Sequence, residues 1–214
     1  MLKIENVEIH GWDAAIRGMR NPKNSWHRSD SYWTYIEDHE THERAKYEFF
    51  LGDLDLALAR RLAKAGTDHG KFLRYIVVTF DLTSSLYFYK EFDTYKVGPV
   101  SDSCSTMHTI TDRDLEMDDF SFEHLKPENM PLMAQLVQRL NIERIAFKET
   151  DDKSHWWQII QLLPSSFNQR RTIQLNYAVL RAMYHARRHH KLDEWHTFCD
   201  WVETLPYAKE LILS

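Results

Sequence analysis

The segment from Thr94 to Met107 concentrates residue types that bind ligands or react. It places Lys96 and Cys104 among several serines and threonines, with Gly98 and Pro99 between them. Hydroxyls, a cation, a thiol and accessible backbone amides suit a small polar ligand, and loops of this kind often carry binding sites. The sequence therefore predicts a ligand loop here, with a solvated connection between two elements as the alternative.

Cys104 is the most reactive group of this loop. A thiolate at this position could add covalently to a pyrimidine ring, but its formation needs a nearby cation, an imidazolium or a helix N-terminus. Lys96 and His108 are the local groups of that kind. The alternative is a small, half-buried cysteine that takes the place of a serine.

The elements that must position this loop can be predicted from the residue pattern. A β-branched and aromatic run from Tyr75 to Leu82 predicts a buried strand, and Ser84–Tyr95 predicts an amphipathic helix. Nearer the N-terminus, residues 2–9 predict an edge strand and Trp12–Arg20 a short helix, followed by a turn-rich stretch over residues 21–31.

A further helix is predicted to begin at Asp53, which is a suitable cap, and to stop at Gly66. The spacing of Leu54, Leu58 and Leu62 places these leucines on one helical face. We expect that face to be apolar and buried.

The second half of the chain is mainly helical. Residues 111–123 are acidic and predict a loop with one short turn. Helical periodicity is predicted over residues 127–148, 155–163, 177–188 and 193–204, and residues 167–175 are expected to be extended. The whole pattern predicts an α/β (α+β) fold with a central mixed or antiparallel sheet flanked by helices, in a single domain over residues 1–214.

Composition excludes several classes of protein. The formal net charge of −5 argues against nucleic-acid binding. The sequence contains no run of about 18 apolar residues, the length needed to cross a membrane. The first ten residues alternate as in a strand and do not resemble a signal peptide. Two cysteines match no disulfide framework, which favours a reduced, cytoplasmic setting. The 12 histidines form no HExxH motif, so no metal site is expected.

Two separated blocks resemble the flavin-dependent thymidylate synthases, also called thymidylate synthase complementing proteins. In that family a strand and a helix precede a signature loop, RHRxxSxNExSxRY. Here FLRYIVVTF lies over the strand, and LYFYKEFDTYKVGPVSDSCSTMH over the helix and the signature. The second block matches at Leu163-Pro164, Asn176 and Arg187. The resemblance covers about residues 53–205, and the first fifty residues match less clearly.

The signature itself departs from the family. Its RHR triplet falls on Thr94, Tyr95 and Lys96, the preceding Arg-Gln pair on Lys90 and Glu91, its Asn-Glu on Ser101 and Asp102, and its final Ser and Arg on Cys104 and Thr106.

One lysine thus remains where the family's triplet has two arginines, and it cannot replace a bidentate arginine on a phosphate. Nearby carboxylates at Asp93 and Asp102 offset part of its attraction. Phosphate affinity at the loop should therefore be weaker, unless one of three other cations reaches it: Arg170, Arg171 or Arg188.

By resemblance, the protein is an enzyme of nucleotide biosynthesis. It would be a methyltransferase that reductively methylates deoxyuridine monophosphate (dUMP), with FAD as cofactor and with NADPH and methylenetetrahydrofolate as co-substrates. The resemblance also implies a cytoplasmic homotetramer with intersubunit sites. Two alternatives stay open: a non-catalytic nucleotide-binding or regulatory protein on the same fold, and a different pyrimidine-nucleotide-modifying enzyme that uses Cys104.

The resemblance assigns roles to particular residues. Arg187 and Cys104 are the predicted catalytic residues. The predicted substrate-binding set is Glu91, Lys96, Ser105 and Arg187, and the predicted cofactor-binding set is Tyr95, Lys96, Asn176 and His185.

Each of the second-block residues also has a plain structural interpretation. Arg187 could simply be a solvated cation at a helix end. Asn176 could be a helix N-cap, since asparagine favours that position. The Trp156-Trp157 pair could belong to the core rather than stack on a ligand ring.

Overall fold

The computed structural model describes residues 2–36 and 46–214. Within them, the strands are β1 (Leu2–His10), β2 (Tyr32–Ile36), β3 (Lys46–Phe50), β4 (Val77–Ser85), β5 (Val100–Ser103) and β6 (Asn168–Asn176). The helices are α1 (Trp12–Arg20), α2 (Asp53–Lys64), α3 (Leu86–Phe92), α4 (Thr106–Thr109), α5 (Met130–Thr150), α6 (Lys153–Leu162), α7 (Tyr177–Arg187), α8 (Asp193–Glu203) and α9 (Ala208–Leu211). Short 3₁₀ turns occupy Asn21–Lys23, Trp26–Arg28, Gly70–Arg74, Met117–Asp119 and Pro127–Asn129.

Four of these strands form an antiparallel sheet in the order β1-β4-β6-β5. The predicted α+β class is therefore confirmed, and so is the edge position of β1. In β4, Val78, Phe80 and Leu82 are buried and alternate with more accessible residues. This period of two is the signature of a strand that covers a core with one face.

The chain divides into two compact units, and the boundaries fall inside β1, β4 and β6. Unit 1 comprises Met1–Val7 and Phe80–Ile173, and unit 2 comprises Glu8–Thr79 and Gln174–Ser214. The expectation of one domain over residues 1–214 stays a prediction.

Unit 1 contains a core in which α5 and α6 pack against the acidic segment that precedes them. Its buried members are Ile110, Leu115, Phe120, Met133, Val137, Leu140 and Ile159. The predicted loop with one short turn over residues 111–123 is confirmed, because its single 3₁₀ turn spans Met117–Asp119. Apolar residues from this loop thus complete the core of the two helices.

A carboxylate joins three strands of unit 1. Asp81 of β4 accepts hydrogen bonds from Asn6 of β1 at 2.7 Å, and from Arg170 and Thr172 of β6 at 2.7 and 2.6 Å. The hydrogen bond from Thr172, with those from Arg170 and Asn6, holds the pKa of Asp81 well below its usual value. The charge of Arg170 is therefore already balanced within the sheet.

Unit 2 is organised around Trp12 at the start of α1. Its ring makes edge contacts with Tyr177 at 5.5 Å and Tyr207 at 5.4 Å between centroids, and stacks on Phe49 of β3 at 6.1 Å. The Tyr207 hydroxyl also accepts a hydrogen bond from the Leu51 amide at 3.0 Å. Aromatic side chains distant in sequence thus fix the hairpin and the C-terminal region of this unit to α1.

The β2–β3 hairpin has no counterpart among the elements predicted from the sequence. Its strands pair antiparallel, with Trp33 opposite Phe49 and Tyr35 opposite Tyr47. Each strand has only five residues, and two short aromatic runs separated by a long charged segment give no local hairpin signal.

Helix α2 differs from the sequence-based prediction in its buried face and in its capping residue. Its buried face carries Asp55, Ala59 and Ala63, whereas Leu54 is 62% exposed. The cap is not Asp53: the carboxylate of Asp30 accepts hydrogen bonds from the amides of Leu54 and Asp55, at 2.9 and 3.0 Å.

The N-cap position of α2 is Gly52, where close approach to Asp30 requires glycine. A Cβ atom at Gly52 would lie 2.2 Å from Cγ of Asp30. At the other end, Gly66 has φ +99° directly after the helix, as expected of a stop.

Asp55 is the most heavily hydrogen-bonded carboxylate of α2 and is fully buried. It accepts from Nε of Arg20 at 2.5 Å, from the hydroxyls of Ser29 and Ser31 at 2.6 and 2.7 Å, and from the amides of Asp30 and Ser31, both at 3.2 Å. Burial alone would raise the pKa of Asp55, but the hydrogen bonds from Ser29, Ser31 and Arg20 lower it below its usual value.

We expect Asp55→Ala to lower the free energy of unfolding at pH 7 by about 3 kcal/mol, because it leaves the buried Arg20 guanidinium without its partner. Because the pKa of Asp55 is lower when folded, its stabilising effect should be complete at neutral pH. It should decline as the pH falls below the unfolded-chain value of about 3.9 and vanish below the folded value. Urea unfolding between pH 2 and 7 measures both effects. The control is Asp53→Ala on the exposed side of the same helix, which should cost less than about 1 kcal/mol; equal losses for the two variants would contradict the role of Asp55.

Candidate functional site

The segment predicted as a ligand loop, Thr94–Met107, is not a loop throughout. It contains β5 and the start of α4, and the amide of Cys104 donates to the carbonyl of Arg170 on β6 at 3.0 Å. All four residues of β5 are exposed, and Val97 before it is 89% exposed. The segment is therefore held by its backbone at the edge of the sheet, while the side chains of β5 are exposed.

The predicted site residues of unit 1 lie along this edge. Glu91 is half-buried in the last turn of α3, Tyr95 is half-buried just after it, and Lys96 is exposed. Half-buried Ser105 is the N-cap residue of α4, and its carbonyl accepts hydrogen bonds from the amides of His108 and Thr109. The predicted helix over residues 84–95 is shorter in the structure, because α3 ends at Phe92.

Cys104 is exposed and has a free thiol. It lines a polar cleft of about 280 Å³ in unit 1, together with Thr106, Thr109, Gln169 and Arg113. The Gln169 amide group donates to the Cys104 carbonyl at 2.9 Å and to the Thr106 hydroxyl at 3.2 Å. The cleft thus presents a thiol and two threonine hydroxyls to a small polar ligand, while the Gln169 carboxamide is bound to protein partners.

Arg113, one of the two arginines that line this polar cleft, is already paired. Arg113 donates to both carboxylate oxygens of Asp119, one of them at 2.8 Å. The Asp119 hydrogen bond raises the pKa of Arg113. An anion would therefore have to compete with Asp119 for this guanidinium.

The two arginines of β6 that could have compensated for the altered signature, Arg170 and Arg171, are paired as well. Arg170 binds Asp81, as described above. Arg171 donates to the carboxylate of Asp93 at 2.9 and 3.2 Å, and its guanidinium lies 3.8 Å from the ring centroid of Tyr89. Neither arginine is available to a phosphate unless its carboxylate is displaced, which weakens the expectation that these residues compensate for the altered signature.

Asn176, at the end of β6, is the N-cap of α7 in unit 2. Its side-chain oxygen accepts a hydrogen bond from the amide of Val179 at 3.1 Å. The structural interpretation of this residue is therefore confirmed, and a second role toward a cofactor stays a prediction.

The two other predicted residues of α7 occupy its last turn. Nε2 of His185 lies 3.1 Å from the carbonyl oxygen of Ile212, to which it donates. The guanidinium of Arg187 lies 5.1 Å from the ring centroid of Trp195, and Arg188 lies 5.2 Å from that of Tyr184. Asn176, His185 and Arg187 thus share one helix of unit 2, and the prediction that they form one pocket with the Lys90–Met107 segment of unit 1 stays a prediction.

Sequence reasoning missed Gln169 and Asp81, and it named Asp93 only as a carboxylate near Lys96, not as the partner of Arg171. Gln169 lies 65 residues from Cys104, and Asp81 and Asp93 lie 89 and 78 residues from their arginine partners. No local pattern reports such pairs, since they arise from strand neighbours in the sheet.

Among the described residues, no group of three or more His, Cys, Asp or Glu side chains is arranged to hold a metal ion. Over the same residues, no helix combines the length and the apolarity that crossing a bilayer would require.

The fold closely resembles that of solved flavin-dependent thymidylate synthases. A structure of ThyX from Helicobacter pylori, complexed with FAD and dUMP, superposes with a TM-score of 0.69 at 18% identity, over 98% of this chain and 97% of that one. A second structure of ThyX from Helicobacter pylori, also with FAD and dUMP, gives a TM-score of 0.68 at 16% identity, over 99% and 97%. No protein-family model matches the sequence, and comparison with curated proteins finds no match.

These comparisons confirm the resemblance predicted from the two sequence blocks at the level of the fold. The superposition covers 98% of the chain, so the likeness is not confined to the two sequence blocks. At 16–18% identity it establishes the architecture alone.

We expect Asn176→Ala to lower the free energy of unfolding by about 1 kcal/mol, because the Val179 amide loses its capping acceptor. Asn176→Ser should recover most of that loss, since serine also caps helices well. Chemical denaturation of the three proteins measures the difference. If serine restores stability but not FAD binding, Asn176 has the second, cofactor-binding role; if alanine costs nothing, the cap does not contribute.

Proposed function

We propose that this protein is a diverged flavin-dependent thymidylate synthase-like enzyme that binds a pyrimidine nucleotide and methylates dUMP reductively. Methylenetetrahydrofolate would supply the carbon, and FAD and NADPH the reducing equivalents. The proposal rests on one observation: the fold matches, over 98% of the chain, a protein crystallised with FAD and dUMP.

The Thr94–Met107 segment fits part of such a nucleotide. Ser105 and Thr106 supply hydroxyls for polar contacts, and Lys96 is an exposed cation with no carboxylate partner among the described residues. One lysine suits a single phosphate group as a point charge. In our proposal Glu91, Lys96 and Ser105 hold the substrate nucleotide.

The same segment does not fit the diphosphate of FAD. Two linked phosphates require several cations or clustered amides, whereas Arg113, Arg170 and Arg171 are all paired with carboxylates. A flavin diphosphate therefore lacks suitable partners at this segment. Tyr95, Asn176 and His185 remain proposed contacts of the flavin ring rather than of its phosphates.

Arg187 is the proposed catalytic residue that polarises the pyrimidine. A guanidinium aimed at a ring carbonyl stabilises the negative charge that develops there when a nucleophilic carbon is formed. The Trp195 ring under the guanidinium restricts its motion, and an oriented charge needs little reorganisation as the reaction proceeds. This role requires the base to reach the end of α7.

Two alternatives have support from specific observations. The carboxylate partners of Arg170 and Arg171 favour a non-catalytic, nucleotide-binding or regulatory protein, because they lower the anion affinity of the signature region. The exposed Cys104 thiol in the polar cleft favours a different pyrimidine-nucleotide-modifying enzyme in which that thiol adds to the ring.

A homotetramer with intersubunit sites is part of the proposal. Helix α5 carries apolar side chains on both sides: Met133, Val137 and Leu140 are buried in unit 1, whereas Leu132 is 68% and Ile142 49% exposed. Exposed leucine and isoleucine on a long helix suit burial by another subunit. The two free cysteines are consistent with the proposed cytoplasmic setting.

We expect the purified protein to bind FAD, with flavin absorbance, and to convert dUMP to thymidylate when NADPH and methylenetetrahydrofolate are added. Arg187→Ala should reduce turnover about 100-fold, the typical cost of removing one oriented donor from a developing charge. Lys191→Ala, an exposed cation of the same basic run, should leave turnover unchanged. FAD binding without turnover would contradict the proposed enzymatic activity and favour the non-catalytic, nucleotide-binding alternative. A monomer by light scattering would contradict the intersubunit site.

Cys104→Ser tests the thiol alternative. If the thiol only fills the place of a serine, the variant should keep turnover within about twofold, since serine resembles cysteine in size and the backbone hydrogen bonds to residue 104 remain. Loss of turnover with unchanged thermal stability would instead establish Cys104 as the nucleophile. Mass spectrometry of the protein incubated with 5-fluoro-dUMP supplies an independent readout, because only a nucleophilic thiol gives a covalent adduct.

A further inference from the structure

Unit 2 contains a groove of about 1030 Å³ that no predicted site residue lines. We call it the basic groove and define it by six side chains. On one side it presents Leu54, Leu58 and Leu62 of α2, and around it stand the cations Lys23, Arg28 and Arg61.

The leucines of the basic groove are those that the sequence placed on the buried face of α2. Ala59 and Ala63 occupy the buried face instead, and Leu54 remains 62% exposed. An apolar helical stripe left accessible beside cations is unusual for a solvated surface, and it suits a ligand with an apolar ring and an anionic part.

Two described carboxylates beside the start of α2 already have other partners. Asp55 is committed to Arg20, and Asp30 accepts from the first amides of α2. Across residues 2–36 and 46–214, Lys23, Arg28 and Arg61 have no carboxylate partner, in contrast to Arg113, Arg170 and Arg171 of unit 1.

We infer that the basic groove binds an organic diphosphate, with its phosphates at Lys23, Arg28 and Arg61 and its ring system against the three leucines. Two guanidinium groups can grip phosphate oxygens in pairs, and the lysine adds a point charge. The volume exceeds that of most small-ligand pockets, which span about 300–1,000 Å³, so it accommodates a nucleoside diphosphate or a dinucleotide.

Two sources share this chemistry: a free nucleoside diphosphate such as ADP, and the diphosphate of FAD. The FAD case rests on the proposed function, since it would supply the cations that the signature segment lacks. The ADP case stands whether or not the protein methylates dUMP.

Calorimetric titration of the full chain with ADP, FAD, pyrophosphate and adenosine tests the inference. ADP or FAD should bind more tightly than either pyrophosphate or adenosine, because only these ligands join a ring to a diphosphate. Each of Lys23→Ala, Arg28→Ala and Arg61→Ala should weaken binding about tenfold, the effect of losing one charge-assisted hydrogen bond. The affinity should also fall as salt rises.

Arg60→Ala is the matched control. Arg60 is exposed, precedes Arg61 on the same helix and does not line the basic groove, so its removal should leave binding unchanged. Leu58→Ala should weaken ADP or FAD binding and leave pyrophosphate binding unaffected.

The outcomes separate this inference from the proposed function. FAD binding that is unchanged in the folded Lys23/Arg28/Arg61 triple variant would exclude FAD from the basic groove while leaving the flavin enzyme intact. If ADP binding were unchanged too, the groove inference would be overturned. Groove-dependent ADP binding without FAD binding would support the free nucleotide. Equal affinity for pyrophosphate and ADP would overturn the joint binding of ring and phosphates.

Discussion

The buried carboxylate of Asp55 fixes the part of unit 2 that precedes and includes α2. It joins the end of α1, through Arg20, to the turn-rich segment that contains Ser29 and Ser31. A carboxylate taken out of water costs free energy unless it is paired and hydrogen-bonded, and here two side-chain hydroxyls, two amides and a guanidinium donate to it. The segment is held at this point, and its two 3₁₀ turns carry Lys23 and Arg28. These cations line the same groove as the leucines of α2.

Carboxylate pairing also decides which arginines can act on a ligand. In unit 1 Asp81, Asp93 and Asp119 each bind an arginine, so these three guanidinium groups are held by the sheet and its loops. In unit 2 Lys23, Arg28 and Arg61 have no carboxylate partner among the described residues, whereas Arg20, which lines the same groove, is paired with Asp55. A count of basic residues would not distinguish the paired arginines of unit 1 from the unpaired cations of unit 2. An anion can bind a paired arginine only after it displaces the carboxylate.

The altered signature and the retained fold have separate physical causes. The fold depends on apolar periodicity, such as the alternation of Val78, Phe80 and Leu82 in β4, and many sequences satisfy it. The signature depends on individual cations at fixed positions, and by the sequence resemblance Lys96 stands where that family has an arginine, which could bind two oxygens at once. Architecture can therefore persist at 16–18% identity while the chemistry of the loop changes.

Local sequence determined most of the elements: the edge strand, α1 to its exact bounds, the stop at Gly66 and the helices of the second half. These follow from periodicity and breakers that act within a few residues. Tertiary structure alone decided that Ala59 and Ala63, not the leucines of α2, face the core, that Asp30 caps this helix, and that Gln169 contacts Cys104. Such outcomes depend on which segments meet across tens of residues, and the free energy of those contacts overrides the preference of any single residue.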